Sequence, residues 1–137
     1  MKITGGCHCG ELKYQARIDP DKVLICHCTD CQQLSGTAFR TVVVSEPDGL
    51  IFTRGQAKEY IKTAESGNKR AQGFCANCGS AIYATSADKS NRIYGIRVGS
   101  VHQRNELVPS SQIWCRSSVP WLEQLPDMTE YETVPTK

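Results

Sequence analysis

The chain has 137 residues, enough for a single domain that buries roughly two-thirds of the surface its unfolded form exposes. Sixteen basic and fourteen acidic side chains leave a formal net charge of +2, and the charges are scattered, a field too weak to point to nucleic acid or an anionic membrane as partner. The opening MKITGGCHCG lacks the apolar run of a secretory signal, and no stretch approaches the ~18 apolar residues of a membrane span, so a cytoplasmic, soluble protein is expected.

In chain order, the first feature is the glycine-flanked pair Cys7-x-Cys9. LKYQARI (12–18) alternates apolar and polar residues with period two and predicts a half-buried strand. KVLIC (22–26) predicts another, and TDCQQLSG (29–36) predicts a short helix with Thr29 as N-cap and Gly36 as stop. FRTVVVS (39–45) predicts a strand closed by a turn at Pro47-Asp48-Gly49. LIFTRG, AKEYIKT, AIYATS, NRIYGIRVGSV and SSQIWC continue the series of strands, while Lys69-Arg70 is expected in a solvated loop. No long segment carries a 3.6-residue period. The fold class expected is therefore mainly β, one domain over 1–137, made of short antiparallel strands with the cysteines in the connecting turns and a loose tail over 128–137.

Eight cysteines exceed ordinary usage, and in a reducing compartment they point to metal ligands rather than disulfides. C-x-C and C-x-x-C pairs close rings too small to be useful structural staples, and the βαβ context of a thioredoxin-type redox pair is missing. FCANCGSA has the form of a zinc knuckle, in which a tight turn converges two thiolates and Gly79 tolerates the left-handed conformation. A knuckle needs a second pair, and Cys7 with Cys9 is the only separate one. A closed tetrahedral zinc site at Cys7, Cys9, Cys75 and Cys78 follows, joining the N-terminus to the middle of the chain and coupling metal to folding.

CHCTDC then holds Cys26, Cys28 and Cys31 with no fourth cysteine beside them. Three protein ligands and an open position are the pattern of a reactive zinc site. A fourth ligand from Cys115, His27, His8, His102 or Asp30 would close it instead. His27 and His8 read as spacers, because their cysteine neighbours already point at the metal. Cys115 reads as a buried free thiol, and Trp114 and Trp121 as core or pocket wall.

GGCHCGELKY, CHCTDCQQLSGTAF, FCANCGSAIY and IWCRSSVPW resemble, in order and spacing, the glutathione-dependent formaldehyde-activating enzyme (GFA) family, to which centromere protein V is related. The resemblance is strongest over residues 5–121. It implies a β-rich fold with two zinc ions per chain, a structural one on Cys7, Cys9, Cys75 and Cys78 and a catalytic one on Cys26, Cys28 and Cys31. The activity it implies is that of a carbon–sulfur lyase forming S-(hydroxymethyl)glutathione, with a small thiol such as glutathione and a small aldehyde such as formaldehyde as partners. In place of the family's Gly-Thr-Leu-Asp-Asp stands GSVHQ (99–103), with His102 near the acidic pair's position, and Gln112 replaces a histidine often seen before the Trp strand. Glutathione's carboxylates call for basic partners, and Arg40, Arg97 and Arg116 are candidates by charge alone. A soft three-thiolate zinc is a better binder of a substrate thiolate than a Lewis acid, because its net charge is near minus one. The alternative is a non-catalytic zinc-stabilised module for protein–protein interaction; oligomeric state has no signature in the sequence.

Overall fold

Residues 12–26 and 39–54 each hold two strand-forming runs. In the structure, a computed structural model that describes residues 1–135, each pair of runs merges into one long strand. β1 (Lys2–Gly6) leads into β2 (Lys13–Cys26), and the short helix α1 (Thr29–Ser35) is followed by β3 (Arg40–Arg54). β2 and β3 pair antiparallel from Lys13 opposite Arg54 to Cys26 opposite Arg40. The turn expected at Pro47-Asp48-Gly49 does not end the strand. It lies inside β3 as a bulge, where the register jumps between Ile18 opposite Ser45 and Ala16 opposite Leu50 and Asp48 sits at φ 50°. Pro20 occupies the matching irregularity of β2, between Ile18 and Val23, so neither proline breaks a regular ladder.

β4 (Lys58–Thr63), β5 (Lys69–Phe74) and β6 (Ala81–Ser86) form an antiparallel meander, and β7 (Gly95–Arg97) inserts between β3 and β6 to give the order β1-β2-β3-β7-β6-β5-β4. Lys69 and Arg70, expected in a loop, open β5. Of the strand expected over 91–101 only β7 forms, and a 3-10 turn follows at Val98–Ser100. β8 (Ser111–Ile113) runs parallel to β2, with Cys26 opposite Ile113, the one departure from an antiparallel sheet among the described residues. β1 and β8 thus cover successive halves of the same edge of β2, because β3 takes the other edge along its length.

The sheet does not lie flat. β1 and β5 are five inter-strand steps apart in the strand order, which in a flat sheet would separate them by about 24 Å at ~4.8 Å per step. Yet Gly5 bridges Val101 beyond β7, and the turns after β1 and β5 are in contact. The sheet therefore curls, closing over a core of Ile3, Tyr14, Ile18, Val43, Ile82 and Ile96. An aromatic chain crosses this interior, Tyr14 to Phe52 to Tyr83 to Tyr94, with ring centroids 6.1, 6.3 and 5.0 Å apart. Gly5 has no room for a side chain, since a Cβ would collide with the Ser100 carbonyl and the Tyr14 ring. No helix of the described residues is long and apolar enough to cross a membrane. Of the tail expected over 128–137, residues 128–135 are exposed and irregular, and 136 and 137 lie outside the described residues.

One ion pair between buried Arg92 and half-buried Glu59 ties the meander to the loop before β7. Arg92 reaches both carboxylate oxygens of Glu59 at 2.7 and 3.3 Å, and the Tyr83 hydroxyl donates to the same carboxylate at 2.6 Å. These bonds, with Arg92 first among them, hold the Glu59 carboxyl below its ordinary value of 4.5. A depressed carboxyl stabilises the fold above its unfolded value and loses that contribution as pH falls through the folded one. Glu59→Gln should therefore cost about 1–3 kcal/mol at pH 7, by leaving Arg92 without its counter-charge. The deficit should shrink in acid below the carboxyl's folded value, as urea unfolding at neutral and acid pH would measure; an equal deficit at both would remove the ion pair from the account.

Candidate metal centres

Two glycine-terminated turns build the first cluster. Cys7 and Cys9 follow β1, and Cys75 and Cys78 lie between β5 and β6. Gly10 and Gly79 end the turns at φ 82° and 80° with open space where a Cβ would stand, so it is backbone conformation, and not crowding, that asks for glycine. All four sulfurs lie within 4.8 Å of one another. The Cys7–Cys9 and Cys9–Cys75 sulfur separations are 3.6 and 3.7 Å, close to the about 3.8 Å edge of a tetrahedron of thiolates at ~2.3 Å from a central ion. The N–H groups of Leu12 and Cys78 donate to Cys7 and Cys75 Sγ at 3.2 and 3.5 Å, stabilising thiolate charge. Ser80 joins the two turns: it accepts the His8 N–H at 3.0 Å and lies 3.2 Å from Cys78 Sγ. The Ser80 hydroxyl is the main cause that holds the Cys78 thiol down to about 5.

The second cluster sits where β2 gives way to α1. Cys26 ends β2, Cys28 is the N-cap of α1 and Cys31 lies in its first turn; their sulfurs are also within 4.8 Å of one another. The N-cap is Cys28 and not Thr29, because the Cys28 sulfur accepts the Cys31 N–H at 3.3 Å and a thiol fills the place an oxygen usually takes. Gly36 stops the helix at φ 71°, as its sequence predicts. Cys26 is buried while Cys28 and Cys31 are half-buried, so the cluster is reachable from one side. The Cys31 thiol, hydrogen-bonded to Cys26, holds Cys26 down to about 5, and the shared proton pushes Cys31 far up. Without a cation the three sulfurs cannot all be thiolates; a divalent ion would release the proton.

Among the described residues no histidine, carboxylate or further cysteine joins the three. His27 is buried with its ring turned away, Nε2 donating to Gln112 Oε1 at 2.7 Å and the ring tilted against Phe39. His8 is exposed, Asp30 is engaged by Lys62 at 2.6 Å, and His102 Nδ1 meets Thr4 Oγ1 at 3.0 Å. Cys115, expected to be buried, is exposed in a 3-10 turn. Trp114 and Trp121 are exposed as well, not core, and Trp114 carries the Arg116 guanidinium over its ring at 4.9 Å. The chain beyond β8 packs too little apolar surface to bury them.

A cavity of about 710 Å³ is walled by Cys7, His8 and Ser80 from the turns of the first cluster and by Leu34, Phe39, Arg40 and Arg97 from the neighbourhood of the second. The three cysteines of the second cluster do not line it; their neighbours Arg40 and Arg97 do. Cys26 is directly opposite Arg40 in the ladder and Val42 is opposite Arg97, which sets these side chains on one face. Burial pushes the Arg97 guanidinium down to about 9, Arg40 adds to this, and the charges of Cys31 and Cys26 oppose it. Arg116 lies on the surface, paired with Glu65 at 3.4 Å, and takes no part in the cavity. Sequence reasoning missed Ser80, whose place directly after C-x-x-C-G was the available signal, and Gln32, whose amide holds the His27 and Ser117 carbonyls at 2.8 and 2.9 Å.

The family model described as glutathione-dependent formaldehyde-activating enzyme matches residues 2–117. No curated protein matches the chain. Among solved structures it is similar to the crystal structure of a Rhodobacter sphaeroides protein, a structural genomics target, with a TM-score of 0.60 at 17% identity over 80% of this chain and 98% of that one. At that identity the likeness is one of fold.

Ser80→Ala should leave the sheet intact and weaken metal retention at the first cluster by about 10- to 100-fold, the usual cost of losing a partner of a ligand. Metal release to a chromogenic chelator, followed beside circular dichroism, measures this; unchanged release would make Ser80 only a turn residue.

Proposed function

Because the chain belongs to the glutathione-dependent formaldehyde-activating enzyme family, we propose that it is a zinc-dependent enzyme of the carbon–sulfur lyase type, acting on thiol adducts of small aldehydes in the manner of an S-(hydroxymethyl)glutathione synthase. In this reading Cys7, Cys9, Cys75 and Cys78 hold a structural zinc, and Cys26, Cys28 and Cys31 hold a second zinc that is catalytic. The observation that carries it is the count of ligands: three converging sulfurs with no fourth cysteine, histidine or carboxylate among the described residues.

The donor set suits zinc, and the N–H groups aimed at the sulfurs suit thiolates. Bound there, zinc would supply a fourth coordination position able to take a thiol as thiolate at neutral pH. The chain's own residues do the rest. Cys28 fixes the entry to α1, His27 and Gln112 lock the connection between β2 and β8, and Leu34 and Phe39 shield the cavity beside Arg40 and Arg97. Arg40 and Arg97 serve as substrate-binding residues in this reading, whereas Arg116 does not, given its place on the surface.

Cys75→Ser should unfold much of the chain, since the first cluster clamps the curled sheet, while Cys28→Ser should stay folded with about one zinc fewer. Elemental analysis with circular dichroism checks both, and equal unfolding by both would sink the open-site assignment. For catalysis, zinc-loaded protein added to formaldehyde and glutathione should speed adduct exchange seen by NMR, and Cys28→Ser should abolish the acceleration. No acceleration with zinc in both sites would favour the alternative of a zinc-stabilised binding module.

A further inference from the structure

Ladder register carries one sheet face from the second cluster to the far edge of the sheet. Cys26 opposes Arg40, Val42 opposes Arg97, Ala84 opposes both Gly95 and Gln72, and Gln72 opposes Tyr60, with no register shift among these pairs. Residues directly opposed, or two apart on one strand, share a face. Cys26, Arg97, Gln72 and Tyr60 therefore stand on the same side, and α1 lies across it. Asp30 of α1 meets Lys62 of β4 at 2.6 Å, and Leu34 of α1 walls a cavity of about 390 Å³ together with Arg40, Tyr60, Phe74, Ala81 and Tyr83 among others.

This cavity is mostly apolar, and polar atoms of its wall are already engaged. Gln72 Oε1 accepts from Arg97 at 2.8 Å, and the Tyr83 hydroxyl donates to Glu59 at 2.6 Å. Leu34 and Tyr60, 43% and 54% exposed, leave the apolar wall open to solvent, which is the form of a ligand groove. Two of the three cysteines of the second cluster are tied to it by an immediate neighbour: Leu34 follows Cys31 by one turn on the same face of α1, and Arg40 is the ladder partner of Cys26. The 710 Å³ cavity adjoins it, sharing Leu34, Arg40, Gly79 and Ala81, but its wall is polar, with Ser35, Thr37, Ser80, Ser100, His102 and Arg104. A polar side and an apolar side thus meet at the same residues. Formaldehyde, one carbon and one oxygen, would leave the apolar side empty, and glutathione, rich in carboxylate and amide, has no group for it.

We propose that the 390 Å³ cavity seats the carbonyl partner, and that the aldehyde this chain takes carries an aryl or branched alkyl group on its carbonyl carbon. This rests on the thiol-adduct reading above and names the class of the second reactant. The polar cavity is left to the body of a polar thiol. In the reaction the sulfur bonds to the carbonyl carbon, the C=O π pair moves onto oxygen, and that oxygen takes up the proton the thiol gives up, so no further reactant is needed.

The test pairs acetaldehyde with phenylacetaldehyde, both alkyl aldehydes, so that the phenyl group is the main difference. Adduct exchange with glutathione on zinc-loaded protein is followed by NMR, and each rate is divided by its spontaneous rate. The phenyl-bearing aldehyde should be favoured about 10- to 100-fold in kcat/KM, the usual effect of an apolar group in a fitted pocket. Leu34→Asp, which sets a charge on the wall at an exposed helix position, and Ala81→Leu, which fills the space, should each cut that preference about tenfold. Equal use of the two aldehydes, or a preference untouched by both variants, overturns the proposal. So does a preference for phenylmethanethiol over 2-mercaptoethanol with formaldehyde when the aldehydes are used equally, since the cavity then belongs to the thiol. Binding is read without chemistry by adding 2-phenylethanol, which should shift the Leu34 methyl signals of the zinc-loaded protein where ethanol at the same concentration does not. If no aldehyde is accelerated, the enzyme reading itself fails, and this alcohol decides the cavity alone: binding lost in Leu34→Asp keeps an apolar ligand seat, and no binding removes it. Should Ala81→Leu not fold by circular dichroism, Leu34→Asp and Tyr60→Ser carry the same comparison.

Discussion

The contact between the Cys9 and Cys75 sulfurs, 66 residues apart in sequence and 3.7 Å apart in space, is the constraint on which the rest of the molecule depends. It joins turns on strands five steps apart along a seven-strand path, and only a curled sheet can meet it. The curl makes the interior narrow enough for Tyr14, Phe52 and Tyr83 to fill in sequence, and it presses β1 so close to the 3-10 turn after β7 that position 5 must be glycine. Thiols this close repel one another once ionised, so a cation bound at their centre would be coupled to the closure of the sheet.

Curling also explains how two irregular strands become useful. β2 and β3 are too long for regular antiparallel strands in so small a domain, and each carries a bulge at a proline-containing stretch. The bulges let the outer halves of both strands follow the curve. Beyond them the ladder recovers its register, so that Cys26 meets Arg40 across the strands and β8 finds the free edge of β2 at Leu24–Cys26. The second cluster is thereby held on one side by a regular ladder and on the other by a helix that starts on Cys28.

Both cysteine groups were legible because ligand spacing is local: C-x-C, C-x-x-C and the following glycines encode turn geometry within a few residues. β4 and β6 of the meander were legible for a similar reason, as short runs bounded by Gly, Ser or Asn, and the first half of β2 through its period-two alternation, whereas β5 was not. What escaped was set by distant partners. Lys69 and Arg70 look like loop residues until β4 and β6 flank them, and β8 pairs with β2 at the half edge that β1 leaves uncovered. Cys115 and the two tryptophans have core-like identities, but the sheet closes without them. Arg40, Arg97 and Arg116 were indistinguishable by charge. Ladder register separates them, placing the first two beside the second cluster and leaving the third with Glu65.

Electrostatics then decides what the second cluster is suited to receive. A divalent ion on three thiolates carries one net negative charge. Arg40 and Arg97 contribute two positive charges within the field of the same sulfurs, and Arg70 is near enough to act on Arg97 as well. The locality is therefore positive overall even after the metal is counted, in a cavity wall that offers no carboxylate. A neutral thiol entering as thiolate would offset part of that surplus. A chain selected for stability alone would bury no such pair, because replacing an unpaired buried charge with an apolar side chain removes a desolvation cost. Arg40 stands opposite Cys26 and Arg97 opposite Val42, two residues on along β3, so both charges lie on the face that carries the second cluster.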